Sequence, residues 1–596
     1  MSSPPSESLG RRERAFLRVL ERKRLPFELS LIAMLLASPC LFIGFYLDDY
    51  VGRYIYSDLP GAAELYRVYV GGYGIANGST ADNLWQIEQG HAPWWMYPDL
   101  ILQAFRPVSL ATHLLDAQLW LNSAVFWHAH SVLWLGALVY AAAQLYRGIL
   151  GVTLGGLAAL LLAFDHTHGF VVGFACNRHA LVTTTFALLC FGQYRRFRAT
   201  GSTPAALLAV LLYGVTLLSG ELGVALIGYL LAYTLFVDRA PLFRRALAFA
   251  PYAVLTVVWR ALYNAHGYGA EGSGVYVDPG REPLRFALTL LERGPVLVLG
   301  QFLAPPAEVY SLLGEAGARG MWAIATAFLL LFSVALVPVL ARSRTARMWA
   351  VGMLASLVPA ASTHPHNRQL LFASIGAMAL IAELWEFHRH TPRAGLLLTV
   401  SRAVGGTVLF FHLFLSPLAS PFTTCSIAAT GPMHRALDGA LGDVRGRDVV
   451  FLTAPDYWLP RLAQLKLRLA QAPLPRRWRA LSFGAESVTL HRTGPSTLVV
   501  DYAGGILGSP LLELYRDRRL RMTPGQRVVL AGLVIEVLAV GVDGRATRAQ
   551  FSFDEDLDAP RFRFYHWEKQ RFVPSGVPRL GERRTLPKAE LTLSAE

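Results

Sequence analysis

The sequence predicts a membrane all-α protein of about eleven transmembrane helices, with a mixed α/β, β-rich domain at its carboxyl-terminal end. Three observations predict it. Hydrophobic residues make up 53% of the chain and charged residues only 16%, with a mean hydropathy of +0.37; a soluble domain carries roughly 25% charged residues. Apolar runs of nearly twenty residues recur without period-two alternation, which favours helices over barrel strands. Arginines collect between these runs, as cytoplasmic turns require.

The first 26 residues are basic from Arg11 to Arg24 and are expected to stay in the cytoplasm. The polytopic domain then runs over 27–419. Its first span, FELSLIAMLLASPCLFIGFYL at 27–47, holds about twenty residues at 1.5 Å each, enough to cross the hydrocarbon core. Further spans are expected at 124–146, 150–164, 178–194, 204–219, 221–237, 246–263, 320–341, 346–362, 369–386 and 397–418. With the amino terminus inside, the arginine-rich turns at 147, 195–203, 238–245, 342–347 and 388–393 all fall inside. The odd count puts the carboxyl terminus outside.

The outer loops at 48–123 and 264–319 are long. Trp85, Trp94, Trp95 and Trp120 in the first suit a helix lying in the membrane interface. The second opens on a glycine-rich stretch, Gly267 to Gly274, and continues as LRFALTLLERGPVLVLGQFLAPP, an interfacial or re-entrant helix ended by Pro305 and Pro306. If that segment spans, the topology downstream inverts.

After about residue 420 the pattern changes. The region 420–596 reads as an extracytoplasmic domain with a strand at 448–453, a helix at 457–470, and strands at 496–502, 526–539, 545–553 and 561–567.

The net charge is +14. The placement of the arginines assigns it to anionic membrane lipids rather than to nucleic acid. The four cysteines, Cys40, Cys176, Cys190 and Cys425, show neither metal spacing nor a disulfide framework.

Chemistry-bearing residues gather near the outer ends of the spans. Asp48 and Asp49 close the first span, and paired acids at that depth are costly unless used or paired. Arg106, Asp116 and His128 follow, then Asp165, His166, His168 and Arg178 within AFDHTHGFVVGFACNRH, then Glu221, and finally His364, His366 and Arg368. Each has a structural alternative: a polar turn, a helix cap for Glu221, an interface anchor for Arg368. Together, acids able to take a proton and arginines able to hold phosphate oxygens suit transfer of a group from a lipid phosphate to a hydroxyl. The histidine spacing matches no standard metal site, and dependence on a divalent cation is left open.

Several stretches, in order over roughly 27–390, resemble the GT-C superfamily of polytopic membrane glycosyltransferases. The likeness is greatest to the tetratricopeptide-repeat-associated O-mannosyltransferases, of the dolichyl-phosphate-mannose-protein mannosyltransferase-like kind. The family's first-loop Asp-Asp matches Asp48-Asp49 in FYLDDY; its Arg-Pro segment and following Leu-Asp match Arg106, Pro107 and Asp116; its Tyr-His matches Trp127-His128. DHTHGF and FACNR retain His168 and Arg178, Ser219-Gly220-Glu221 looks like a Ser-Lys-Glu turn, and NRQLLFASIG retains Arg368. The family glutamate falls on Phe170 and the family lysine on Gly220, and the repeats are absent.

The resemblance implies a polyprenyl-phosphate-linked sugar as donor and a protein, glycan or lipid hydroxyl as acceptor, with chemistry at the outer face. It implies Asp48 or Asp49 as general base and Arg106, His168, Arg178 and Arg368 on the phosphate. Asp116, His128, Asp165 and Glu221 would support them. One rival is a catalytically degenerate scaffold that binds glycan or a partner, motivated by Phe170 and Gly220. The other is a lipid-carrier transporter, for which midplane polar groups and repeated halves would be expected. Arginine and alanine richness, with no targeting segment beyond the first span, points to a bacterial cytoplasmic membrane.

Overall fold

The computed structural model describes residues 11–69, 73–392, 395–437, 439–484, 486–507 and 512–591. The chain forms two compact units. The helical unit takes the chain up to Gly44, Phe105–Leu262 and Pro283–Ile427; the β-rich unit takes Phe45–Ala104, Tyr263–Glu282 and the chain from Ala428 onward.

In the helical unit a helix falls on every expected span. Six helical segments are long and apolar enough to cross a membrane among the described residues: Leu25–Phe42, Ala124–Leu150, Leu242–Ala265, Glu315–Arg342, Leu371–His390 and Leu396–Thr424. A seventh arises if Val152–Ala163 and His166–Gly173, bent by 43°, form one span. The rest, including Thr203–Ser219, are shorter or more polar, so length and composition alone do not reach the expected eleven. The helix Pro283–Phe302 is not among those that qualify.

Local chemistry sets the helix ends. Ser202 and Ser343 cap their helices by accepting Ala205 N and Ala346 N. The helix Arg178–Thr200 stops at Gly201, whose φ of 71° suits a glycine. Close packing then fixes the core. Tyr229 Oη donates to Phe372 O at 2.6 Å and accepts Gly376 N at 3.0 Å. A Cβ on Gly352 would lie 2.2 Å from the Tyr229 ring, so only glycine admits it.

The arginine-rich turns meet at one end of this unit. Arg147 donates to Leu20 O and Arg22 O, Arg195 to Gly148 O, Arg344 to Phe236 O, and Arg198 pairs with Asp238 at 2.7 Å. Arg389 reaches Glu13 at 3.1 Å. Large apolar side chains such as Phe42, Leu247, Val257, Ile324 and Phe422 are exposed along the helices. An exterior of this kind is solvated by lipid rather than water.

Among the described residues the β-rich unit contains three sheets. The three-stranded one is antiparallel and joins Gly74–Asn77, Ile101–Gln103 and Gly269–Glu271. The four-stranded sheet pairs Asp448–Phe451 in parallel with Arg477–Ala480 and Phe562–Glu568. The six-stranded sheet is antiparallel and includes Val488–Gly494, Thr497–Tyr502 and Ala546–Phe553. The expected strand 526–539 is a hairpin, Arg527–Leu530 and Leu533–Val540, turned at Gly532 with φ 71°.

Trp94 and Trp95 do not mark a membrane interface. Both are buried in the core of this unit with Phe451, Trp478, Phe483 and Phe551, and Trp94 Nε1 donates to Leu481 O at 3.1 Å. The area that two indoles remove from water outweighs an interfacial position once the amide hydrogen has an acceptor. The unit therefore builds one core from the first loop and the carboxyl-terminal segment, so its boundary is not the single point near 420 read from composition.

Candidate functional site

The helical unit gathers Arg106, His179, Glu221 and Arg368, residues far apart in sequence. Arg106 begins the helix Pro107–Trp120, His179 stands in the first turn of Arg178–Thr200, Glu221 starts the 3-10 turn Glu221–Ala225, and Arg368 lies in the turn Asn367–Gln369. All belong to the ends of their segments away from the arginine-rich turns. Arg106 Nε donates to Glu221 Oε2 at 2.7 Å. Both Arg106 and Arg368 act electrostatically on His179. Arg368 Nε is buried without a hydrogen-bond partner among the described residues. Its turn is held by Glu308, whose Oε2 accepts Asn367 N at 3.0 Å, and by His366 Nδ1, which accepts Arg368 N at 3.1 Å.

The two departures from the family pattern fall here. Phe170 packs its ring against His366 at 4.5 Å. A Cβ on Gly220 would sit 2.8 Å from Thr183 Oγ1, so the turn has no room for the longer residue of the family pattern. His179 escaped the sequence reading because a histidine one place after Arg178 carries no motif of its own.

Arg178 and Asp116 are fully buried and form an ion pair. Arg178 also donates to Ser131 Oγ, Trp127 O and Thr112 O, at 2.8–3.3 Å. Asp116 Oδ1 accepts Trp120 Nε1 at 3.1 Å and lies 2.7 Å from His130 Nδ1. The pair ties three helices together, and His130, unread in the sequence, completes it. His128 Nε2 binds Gly44 O at 2.8 Å and is equally buried.

Asp165 and His168 belong to a second buried cluster. Asp165 accepts Thr167 N at 3.0 Å and Gln301 Nε2 at 3.1 Å, with His168 Nε2 at 3.6 Å and His166 Nδ1 at 3.8 Å. Gln301 Oε1 in turn accepts Ser374 Oγ at 3.0 Å. Each hydrogen bond here offsets the cost of a carboxylate held out of water.

Asp48 and Asp49 belong to the β-rich unit, at the start of the helix Asp48–Ile55. Acids favour that helix end. The preceding residue, Leu47, takes φ 40° and ψ −113°, a strained conformation for a branched side chain. Asp49 is completely buried and folds back on the turn: its Oδ2 accepts Tyr46 N at 3.3 Å while its own N donates to Tyr46 O at 2.8 Å. Asp48 is only half-buried. Of the two residues, Asp48 is the less buried. Among the described residues no group of three or more His, Cys, Asp or Glu is placed to hold a metal ion.

No protein-family model matches the sequence, and no curated protein matches it. Among solved structures, the chain is similar to the oligosaccharyltransferase of Archaeoglobus fulgidus solved with a tethered acceptor peptide. The identity is 10% and the TM-score 0.42, over 78% of this chain and 64% of that one. A second structure of that organism's oligosaccharyltransferase, AglB, with an inhibitory peptide and a dolichol-phosphate, gives 10%, 0.37, 74% and 63%. The chain thus spans just under two thirds of these archaeal proteins. ArnT from Cupriavidus metallidurans, bound to undecaprenyl phosphate, gives 13% and 0.38, over 75% of this chain and 88% of that one. All these TM-scores lie below 0.5, and the likenesses leave activity, substrates and partners to the proposal that follows.

Proposed function

We propose that the protein is a GT-C-type integral membrane glycosyltransferase that moves a sugar from a polyprenyl-phosphate donor to a hydroxyl of a protein, glycan or lipid at the outer membrane face. The observation that carries this reading is that Arg106, paired with Glu221, and Arg368, positions the sequence resemblance singles out, both act on His179 at the end of the helical unit away from the arginine-rich turns. Two guanidiniums and one carboxylate, that of Glu221 on Arg106, leave net positive charge for a phosphate, and planar donors fit its oxygens. On this reading Asp48 takes the proton of the acceptor hydroxyl. The acceptor oxygen bonds to the anomeric carbon as the bond from that carbon to the phosphate oxygen breaks. The electron pair leaves with the polyprenyl phosphate, whose charge Arg106 and Arg368 stabilise. Arg178, Asp116, His128, Asp165 and His168 hold the helices that present these groups.

The test is transfer from a labelled polyprenyl-phosphate sugar by the purified chain in detergent. Asp48→Asn is expected to lower kcat about 100-fold or more with thermal melting unchanged. Arg368→Gln is expected to cost a comparable factor. A folded Asp48→Asn protein with wild-type turnover would overturn the reading. The scaffold alternative draws on Phe170 against His366 and the filled space at Gly220. Donor binding without turnover, in wild type and variants alike, would favour it.

A further inference from the structure

Arg368 sits on the short 3-10 turn Asn367–Gln369 of the helical unit. The leading N–H groups of such a turn have no acceptor inside it. Side chains supply the acceptors here. Glu308 Oε2 accepts Asn367 N at 3.0 Å, and His366 Nδ1 accepts Arg368 N at 3.1 Å. The link to Glu308 is reciprocal, because Asn367 Oδ1 accepts Ala307 N, one residue earlier, at 3.0 Å. Two hydrogen bonds of opposite sense thus clasp the turn to the segment that follows the helix Pro283–Phe302. Ala307 and Asn367 are buried, and polar groups at such a place are costly to leave unpaired.

The surroundings are built for this clasp. A Cβ on Gly300 would lie 2.7 Å from Asn367 Oδ1 and 2.9 Å from Ala307 N, so glycine leaves the room the pair needs. Just beyond Glu308, Tyr310 Oη donates to Glu292 Oε1 at 2.8 Å and ties the segment back to its own helix. His366 can accept because it is neutral. Burial, with the neighbouring Arg368, holds its pKa well below the usual range, and the Phe170 ring covers it at 4.5 Å. Its Nδ1 keeps a lone pair for Arg368 N, and the 3.5 Å approach to Glu308 Oε2 is then no ion pair. Glu308 is left as the charged acceptor, and a carboxylate binds an N–H more strongly than a neutral oxygen does. Arg368 Nε, by contrast, is buried without a hydrogen-bond partner among the described residues. The backbone that carries this guanidinium, rather than a bond of its Nε, sets where it stands.

We propose that Glu308 is a positioning residue of the phosphate site: through its clasp with Asn367 it fixes the turn from which Arg368 meets the departing phosphate. The proposal rests on the reading of Arg368 as a phosphate-binding group. A polyprenyl-phosphate sugar is a phosphodiester with a single negative charge. The departing polyprenyl phosphate gains a second charge as the bond to the anomeric carbon breaks. A guanidinium in place therefore gains most as that bond breaks, and a displaced one costs kcat more than donor KM.

Full-length wild type, Glu308→Ala, Glu308→Gln, Arg368→Gln and the two double variants would be compared in detergent. The readouts are kcat and KM for a labelled polyprenyl-phosphate sugar, affinity for free polyprenyl phosphate, and thermal melting. Glu308→Ala is expected to lower kcat about tenfold with donor KM within about threefold, and to weaken free polyprenyl phosphate about tenfold. Over Arg368→Gln, the same change is expected to alter kcat and that affinity less than about twofold, while its melting loss stays the same. Glu308→Gln keeps an oxygen for Asn367 N and is expected to lower kcat only about threefold. A kcat loss equal in both backgrounds would make Glu308 merely structural and overturn the proposal. So would wild-type kcat in Glu308→Ala beside an impaired Arg368→Gln, which leaves the Arg368 reading intact. Wild-type transfer by folded Arg368→Gln would overturn both. If wild type binds polyprenyl phosphate without turnover, the catalytic reading falls and the affinity cycle decides the clasp: weakening confined to the Arg368 background supports it, and equal weakening in both overturns it. If Glu308→Ala fails to fold, the Glu308→Gln cycle decides: a loss of about threefold that vanishes over Arg368→Gln supports the proposal, and an equal loss in both backgrounds, or none, overturns it.

Discussion

The helical unit and the β-rich unit treat the same side chains in opposite ways. In the helical unit, leucine, valine and phenylalanine lie exposed along whole helices, while Asp116, Arg178, Asp165 and His168 are buried. In the β-rich unit the aromatics Trp94, Trp95, Phe451 and Trp478 form the interior, and many charges are paired at the surface, as in Arg527 with Glu536 at 2.8 Å. The difference is one of solvent. Lipid gives no penalty to exposed apolar area and a large one to exposed charge, so polar groups move inward and find partners. Water reverses both terms. The β-rich unit buries a few charges as well, Asp448, Arg461 and Arg479 among them.

Charge removal gives the largest expected contrast. Asp116→Asn leaves Arg178 buried without its counter-ion and is expected to cost about 3–5 kcal/mol, read as a strongly lowered melting temperature or loss of folded protein in detergent. Glu536→Gln, which removes the partner of Arg527, is expected to cost under about 1 kcal/mol. Equal effects would dissolve the comparison. Next comes an acid placed on each exterior. Ile324 is 65% exposed and Val542 99% exposed. Ile324→Asp is expected to disfavour membrane insertion by about 2.5–3.5 kcal/mol, measured as the inserted fraction, whereas Val542→Asp should stay within about 0.5 kcal/mol of wild type in melting.

Gly220→Ala is expected to destabilise the helical unit by about 1–3 kcal/mol, because its Cβ meets Thr183 Oγ1 at 2.8 Å. Thr183→Ala in the same chain should restore much of the loss. The smallest effect concerns Asp456, whose Oδ1 accepts Leu459 N at 3.0 Å at the start of the helix Trp458–Leu469. Burial pushes its pKa up to about 6 from an ordinary 3.8. A carboxyl with a raised folded-state pKa contributes stability below its unfolded value, and that contribution is lost as pH rises from about 4 to 6. Melting of wild type relative to Asp456→Asn should therefore fall across that window and level off above it.

Much of the architecture was legible in the chain because each helix and strand follows from local pattern. The apolar runs mark the helices, the arginine turns gather at one end, and strands occur where β-branched residues cluster. The hairpin at 527–540 was hidden because Gly532 interrupts a run whose hydrophobicity continues on both sides. Trp94 and Trp95 were misplaced because an indole suits a bilayer interface and a soluble core alike. Arg106 and Glu221, singled out separately in the sequence, are brought into contact by the fold. His179 and His130 were not legible, since their partners are distant in sequence and no motif surrounds them.

By itself the sequence determined the solvent of each region and the order of its elements, since hydropathy over about twenty residues is a sum of local transfer free energies. Only the tertiary structure decided how the charges are used. Arg178 and Arg368 look alike in the chain, yet one closes a buried ion pair with Asp116 and the other has no hydrogen-bond partner for Nε among the described residues. Asp48 and Asp49 are adjacent, yet one is half-buried and the other is folded onto Tyr46. Coulomb energy and desolvation depend on distances between residues that the chain keeps far apart, and folding alone sets those distances.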